Sequence, residues 1–267
     1  MSAAHPIREI LKANDLRGAV PEQWGPLEAR ALGAAFAEFC AADGATTVVV
    51  GHDMRVSGPV IADAFVEGVT SRGIDVLDLG LCSTDAAYFA SGARGLPGAM
   101  ITASHNPAGD NGMKLMRSRA RPLGRDQGLP ALVERAEQIL ATDTLGTAAD
   151  AAPTGTRASW PVIPDYAAYL RSLVDLSGIA PVRVVVDAGN GMGGVVAAAV
   201  FGNSAGLDPL PIEVVPLFFE PDGTFPNHPP NPLDPANTRD VARAVRESGA
   251  DLGLAFDGDA DRCFVID

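Results

Sequence analysis

The chain has 267 residues, 47% of them hydrophobic and 20% charged, the balance of a soluble globular protein with length for one large or two ordinary domains. With 33 acidic against 20 basic residues it carries a net charge of −13, which argues against nucleic acid or an acidic surface as partner and leaves room for a small anion where cations converge. No apolar run has membrane-spanning length, the N-terminus lacks a secretory pattern, and Cys40, Cys82 and Cys263 are odd in number and widely spaced, which points to reduced thiols in a cytoplasmic protein that does not engage a membrane.

The first chemistry-bearing stretch is Lys12-Ala13-Asn14-Asp15-Leu16-Arg17-Gly18, read as a short polar turn with two cations in which Arg17 offers a planar fork for phosphate. Lys12 and Lys114 are the only lysines against eighteen arginines. A chain that otherwise writes Arg for positive charge uses Lys where a proton must be able to leave. Amphipathic spacing predicts a helix over 26–42, then a β-branched strand over 46–50. His52, Asp53 and Arg55 follow in a loop expected to buttress a site. Pro59 opens a second helix, a strand is predicted over 74–79, and Ser83 or Thr84 caps a third helix.

The next strand ends in Thr102-Ala103-Ser104-His105-Asn106-Pro107, where Ala99, Met100 and Ile101 give way at once to polar residues and a proline that stops strand pairing. Open α/β sheets carry their chemistry outside the carboxyl ends of strands, so Ser104 reads as a phosphate-carrying nucleophile. Lys114 lies ten residues on, in a segment expected to return as a hairpin or edge strand. A helix is predicted over 129–140, and the Ala/Thr/Gly/Pro-rich run 145–159 reads as a linker, placing a domain boundary at 150/151.

The second half repeats the pattern, with a helix over 165–174, strands over 182–186, 212–218 and 251–256, and a helix opened by Asp234 and Pro235. Gly189, Gly191, Gly193 and Gly194 miss the dinucleotide spacing Gly-x-Gly-x-x-Gly and are attributed to close helix–strand packing. The last strand ends in Asp257-Gly258-Asp259-Ala260-Asp261-Arg262. Two carboxylates about 4 Å apart repel by about 4 kcal/mol at an effective dielectric of about 20, so three on one turn call for a cation. Hard oxygen ligands select Mg²⁺ or Ca²⁺, and an EF-hand fails because Arg262 stands where its glycine is needed. A phosphoryl oxygen on Ser104 would complete a Mg²⁺ site with Asp257, Asp259 and Asp261.

These two motifs, with Asn111-Gly112-Met113-Lys114, Asp15-Leu16-Arg17-Gly18 and Val186-Asp187-Ala188-Gly189-Asn190-Gly191, make the chain resemble the N-terminal half of an α-D-phosphohexomutase of the phosphomannomutase/phosphoglucomutase branch. The resemblance implies two consecutive three-layer α/β/α domains with mixed, largely parallel sheets. It implies an isomerase-class phosphomutase that moves phosphate between O1 and O6 of a hexose through phosphoserine and a hexose 1,6-bisphosphate activator. In that scheme Ser104 carries the phosphoryl group, and His105 and Lys114 move protons. Arg17 stabilises the transferring group, Lys12 and Arg262 bind phosphate, and Asp257, Asp259 and Asp261 hold Mg²⁺. The family's sugar-reading and C-terminal phosphate-binding domains lie beyond this chain, so weak or no turnover of the isolated chain is expected. A phosphoglucosamine mutase and a non-catalytic sugar-phosphate or metal-binding fragment are the alternatives. A haloacid-dehalogenase-like phosphatase is a poor one, because almost no chain follows Asp261.

Overall fold

A computed structural model of the chain describes residues 6–142, 154–176 and 178–267. The first unit runs β1 (Leu16–Ala19), α1 (Pro26–Ala42), β2 (Thr47–His52), α2 (Gly58–Thr70), β3 (Asp75–Leu81), α3 (Thr84–Arg94), β4 (Gly98–Ile101), β5 (Asp110–Arg117), β6 (Arg121–Pro122), α4 (Leu129–Thr142) and β7 (Arg157–Ser159). Its sheet has the order β1-β5-β4-β2-β3-β7, with β6 paired to β5. Strands β4, β2, β3 and β7 are parallel, while β1, β5 and β6 form an antiparallel end.

Local chemistry sets the helix starts. Pro26 supplies the φ of a first helical turn, and the Glu28 carboxylate accepts the Gly25 N–H at 2.8 Å. Of the two expected caps for α3, Ser83 is the one used, its Oγ accepting from the Ala86 N–H at 3.2 Å. Strand β4 is buried throughout because both sheet faces are covered. Phe36, Ile61, Phe65 and Leu132 pack on one face, and Ala86, Ala90, Val162 and Tyr166 cover Val49, Met100 and Met116 on the other.

The second unit contains α5 (Ile163–Leu173), β8 (Val182–Asp187), α6 (Gly193–Val200), β9 (Ile212–Leu217), α7 (Arg239–Ser248), β10 (Leu252–Phe256) and β11 (Cys263–Ile266). The sheet order is β11-β10-β8-β9, parallel except for β11. Val241 and Val245 of α7 cover Val185 and Ala255 on one face, and Ala197 of α6 covers Val184 and Val186 on the other. Both units are three-layer α/β/α with mixed, mostly parallel sheets, as expected. Among the described residues no helix is long and apolar enough to cross a membrane, and all three cysteines are unpaired, Cys263 exposed and the other two buried.

The structure departs from the sequence reading at four places. The stretch read as a polar turn becomes a strand at Leu16; β5 returns antiparallel on β4, the hairpin of the two expected alternatives, and β1 flanks it so that it is not an edge. Residues 157–159, read as linker, form β7 through backbone pairing with β3. Asp234 caps a turn, its Oδ1 accepting the Ala236 N–H, and α7 begins only at Arg239. The expected boundary at 150/151 and linker residues 145–153 lie outside the described residues.

Candidate active site

The carboxyl ends of β4 and β10 face each other across the junction of the two units, bringing together residues 153 apart in sequence. Ser104 follows β4 and is 1% exposed. Its φ of 52° is in the left-handed region, which costs an L-residue about 1–2 kcal/mol and persists only where neighbours over-determine it. The hydroxyl donates to Asp257 Oδ2 at 2.7 Å and accepts from Arg262 Nη2 at 2.6 Å. Arg262 in turn grips Asp257, with Nη2 at 2.6 Å and Nε at 3.1 Å from Oδ2. It also donates to His105 Nδ1, which lies 3.4 Å from Ser104 Oγ.

Loop-on-loop contact leaves no room for side chains. A Cβ on Gly258 would lie 2.6 Å from the Ser104 carbonyl oxygen, and one on Gly191 would lie 2.6 Å from the Gly258 carbonyl oxygen. Gly191 of the cluster after β8 thus packs on the acidic loop, while a Cβ on Gly193, at the start of α6, would lie 2.9 Å from Phe256 Cβ of β10, the close helix–strand packing expected.

Asp257, Asp259 and Asp261 each present an oxygen within 4.8 Å of the others. Asp257 and Asp259 are fully buried. Lys114 Nζ donates to Asp259 Oδ2 and Asp261 Oδ2, both at 2.6 Å, and Thr84 Oγ1 donates to Asp259 Oδ2 at 2.6 Å. Asp259 Oδ1 is buried with no hydrogen-bond partner. An orphaned carboxylate oxygen inside a set of hard oxygen donors fits a divalent cation of the Mg²⁺ or Ca²⁺ type.

Electrostatics divide the labour. Burial, then repulsion from Asp259 and Asp261, pushes Asp257 above the usual carboxylate range. Burial works against ionised Asp259 too, but Lys114 and Thr84 outweigh it and hold its carboxyl down. Lys114 loses stability as a cation by burial, yet the two aspartates more than offset this and raise it, so its proton is held tightly while they face it. Burial, followed by the charges of Arg262 and Arg17, lowers His105, consistent with a neutral ring accepting at Nδ1.

Beside this cluster opens a cavity of about 820 Å³ lined by Lys12, Arg17, Asp85, Tyr88, Lys114 and Asp261 among others. Arg17 is tied to Asp15 Oδ2 at 2.7 and 2.8 Å and to Asn106 Oδ1 at 3.2 Å, while Lys12 sits exposed at the rim. All nine residues singled out from sequence thus lie in this cluster or on the cavity wall. Two contributors escaped sequence reasoning. Thr84 reaches Asp259 over 175 residues, which no local pattern signals. His228, in the Pro-rich loop after β9, places Nε2 at 3.2–3.3 Å from the buried Asp187 carboxylate.

Two α/β/α units meet at the carboxyl ends of their strands, where open α/β sheets place their ligand sites, and the ionisable cluster lies at that junction. Residues 8–142 match phosphoglucomutase/phosphomannomutase α/β/α domain I, and residues 164–267 match domain II of the same family. The chain belongs to the phosphoglucomutase/phosphomannomutase family. It is 42% identical over 257 residues to a protein of Xanthomonas campestris pv. campestris named phosphohexose mutases, covering 96% of this chain and 54% of that one. It is 40% identical over 258 residues to an Escherichia coli phosphomannomutase, covering 96% and 55% respectively. A phosphoglucomutase/phosphomannomutase family protein from Burkholderia thailandensis superposes with a TM-score of 0.81 at 32% identity, over 97% of this chain and 54% of that one. The chain spans about half the length of the relatives it matches.

Proposed function

We propose that this chain is the phosphoryl-carrying half of a phosphohexomutase, an isomerase acting on hexose phosphates by way of phosphoserine at Ser104. The observation that supports this reading best is the Ser104 hydroxyl held between Asp257 and Arg262, which come from the other unit. Phosphoryl transfer asks for positioning and positive charge more than for covalent chemistry, and the cleft supplies both.

When the phosphoryl group leaves Ser104, the P–Oγ bond breaks and a P–O bond forms to the sugar hydroxyl. Negative charge then develops on Oγ, where Arg262 Nη2 donates at 2.6 Å. The sugar hydroxyl's proton passes to neutral His105, whose Nδ1 stands 3.4 Å from Oγ and is freed as Arg262 turns its N–H to the developing charge, and His105 then returns the proton to Ser104. Arg17 and Lys12, on the cavity wall, counter the charge of the phosphate groups. Lys114 would serve as a second proton carrier, because a cation held by Asp259 and Asp261 would offset the carboxylate charge that now keeps its proton. Asp257, Asp259 and Asp261 are the residues that would hold Mg²⁺, which supplies charge neutralisation at a phosphoryl oxygen. Hexose 1,6-bisphosphate is the species that charges the serine.

Intact mass of the purified chain, before and after incubation with glucose 1,6-bisphosphate and Mg²⁺, tests the reading. One added phosphoryl group is expected, mapping to Ser104 and lost in Ser104→Ala with the fold retained. The same stoichiometry in Ser104→Ala would remove the nucleophile assignment.

A further inference from the structure

Arg55 is buried in the loop after β2 and does not itself line the cavity. Its guanidinium nevertheless serves four carbonyls of the Ser104 loop. Nη1 donates to Pro107 O and Asp110 O at 2.7 Å each, and Nη2 donates to Ser104 O at 2.7 Å and Asn106 O at 2.8 Å. The other side of the Ser104 peptide is held from the same place. The Ser104 N–H donates to Thr102 Oγ1 at 2.9 Å, Thr102 Oγ1 donates to Asp53 Oδ2 at 2.6 Å, and Asp53 Oδ1 accepts the Arg55 N–H at 3.0 Å. Both polar groups of a residue in the left-handed region are thereby fixed by one Asp53–Arg55 frame. A lysine has the charge for this position but not the planar fork.

The second unit closes the frame from outside. Phe225 lays its ring 5.3 Å from the guanidinium carbon. A Cβ on Gly223 would lie 2.7 Å from Arg55 Cα and 2.7 Å from Met54 O, so this loop is pressed directly onto the Arg55 backbone.

Resting on the phosphoserine reading above, we infer that Arg55 is a positioning residue for phosphoryl transfer, holding Ser104 in its left-handed conformation, and that Phe225 couples the seating of the second unit to that conformation. Neither residue lines the cavity beside the acidic cluster. Their effect is on where Oγ stands, and a misplacement of about 1 Å costs about 100-fold in rate.

Arg55→Lys, in the full chain, is the test, read three ways. Far-UV circular dichroism checks the fold, ¹³C shifts at Ser104 report its left-handed φ without any phosphorylation, and mass spectrometry times phosphate uptake from glucose 1,6-bisphosphate with Mg²⁺. The expected result is a folded protein that loses the Ser104 shift signature and takes up phosphate about 100-fold more slowly at saturating bisphosphate, with half-saturation little changed. Phe225→Leu leaves all four hydrogen bonds in place and should slow uptake by a smaller factor with the same unchanged half-saturation, which keeps the inference open to refutation if Arg55→Lys does not fold. A Ser104 signature and uptake rate like the wild type in either folded variant overturn that variant's part of it. If wild-type chain takes up no phosphate the phosphoserine reading falls, and the Ser104 shifts in Arg55→Lys still decide whether Arg55 sets the loop.

Discussion

Lys114 offers the sharpest perturbation of the acidic cluster. Its Nζ bridges Asp259 and Asp261 at 2.6 Å each, with the Lys114 side chain 11% exposed and that of Asp259 fully buried. At an effective dielectric of about 20 and about 4 Å between charge centres, each carboxylate contributes about 4 kcal/mol of attraction, most of it offset by desolvation. Lys114→Met removes the cation and strands a buried carboxylate, a change that costs about 3–5 kcal/mol in such sites. Thr84 still binds Asp259 and Asp261 is partly exposed, so about 3 kcal/mol is expected, or a fall in Tm of about 6–12 °C in a chain of this size. The same substitution should tighten Mg²⁺ binding. In the wild type an incoming cation must displace the Lys114 ammonium from the carboxylates it needs, and in the variant it need not. A tenfold gain in affinity corresponds to about 1.4 kcal/mol, well within the attraction removed. Calorimetric titration of metal-free wild type and Lys114→Met with MgCl₂ at one ionic strength measures it. Equal or weaker Mg²⁺ affinity, together with an unchanged Tm, would refute competition between Lys114 and the metal for the aspartates.

Two further perturbations probe the supports of the site. Gly258→Ala drives a Cβ to 2.6 Å from the Ser104 carbonyl oxygen; overpacking of this kind costs about 1–3 kcal/mol, to be seen as a lower Tm together with slower phosphate uptake, and a neutral result would mean the loops are not in contact. For His228, burial alone would depress the ring, but hydrogen bonds to Asp187 and the Pro229 carbonyl and the Asp187 charge leave its pKa raised. A group raised in the folded state adds stability below its unfolded value of about 6.5 and loses it as pH rises through the folded value. The Tm gap between wild type and His228→Gln should accordingly narrow on going from mildly acidic to alkaline pH, with the imidazole titrating above 6.5 by NMR.

Legibility in the sequence followed the range of the forces involved. The helix over 26–42 was readable to the residue, because Pro26, Glu28 and an apolar face all act within a few positions. The strand leading to Ser104 and the acidic turn after β10 were readable for a similar reason: a buried run that breaks into polar residues marks a strand end wherever it occurs. By contrast, β7 is exposed at every residue and is held by backbone pairing with β3 and by Arg157 ion pairs to Asp78 and Asp63, so its side chains carry no periodic signal. Strand β1 is four residues long with Gly18 inside it, too short for alternation to show. Asp234-Pro235 is a helix-start signal that a tight turn satisfies equally well, and here the turn wins. Arg55 could be read as a buttress from its loop, but its four carbonyl partners, 49 to 55 residues away, are set by tertiary structure.

The distance along the chain between Ser104 and Asp257 also bears on how the molecule comes into being. A contact closed over 153 residues belongs to the slow, entropically costly class of folding events, and domains assemble as units before they dock. Every hydrogen-bonding partner in the Asp53–Arg55–Thr102 frame, however, lies within the first 110 residues, so these bonds can form while the acidic loop is still being synthesised, and Phe225 seats on Arg55 only afterwards. During that interval its hydroxyl meets neither Asp257 nor Arg262. Maturation of the cleft is then a docking step between two preformed sheets, and the order of manufacture leaves the Ser104 hydroxyl without its acidic and cationic partners until the second sheet arrives.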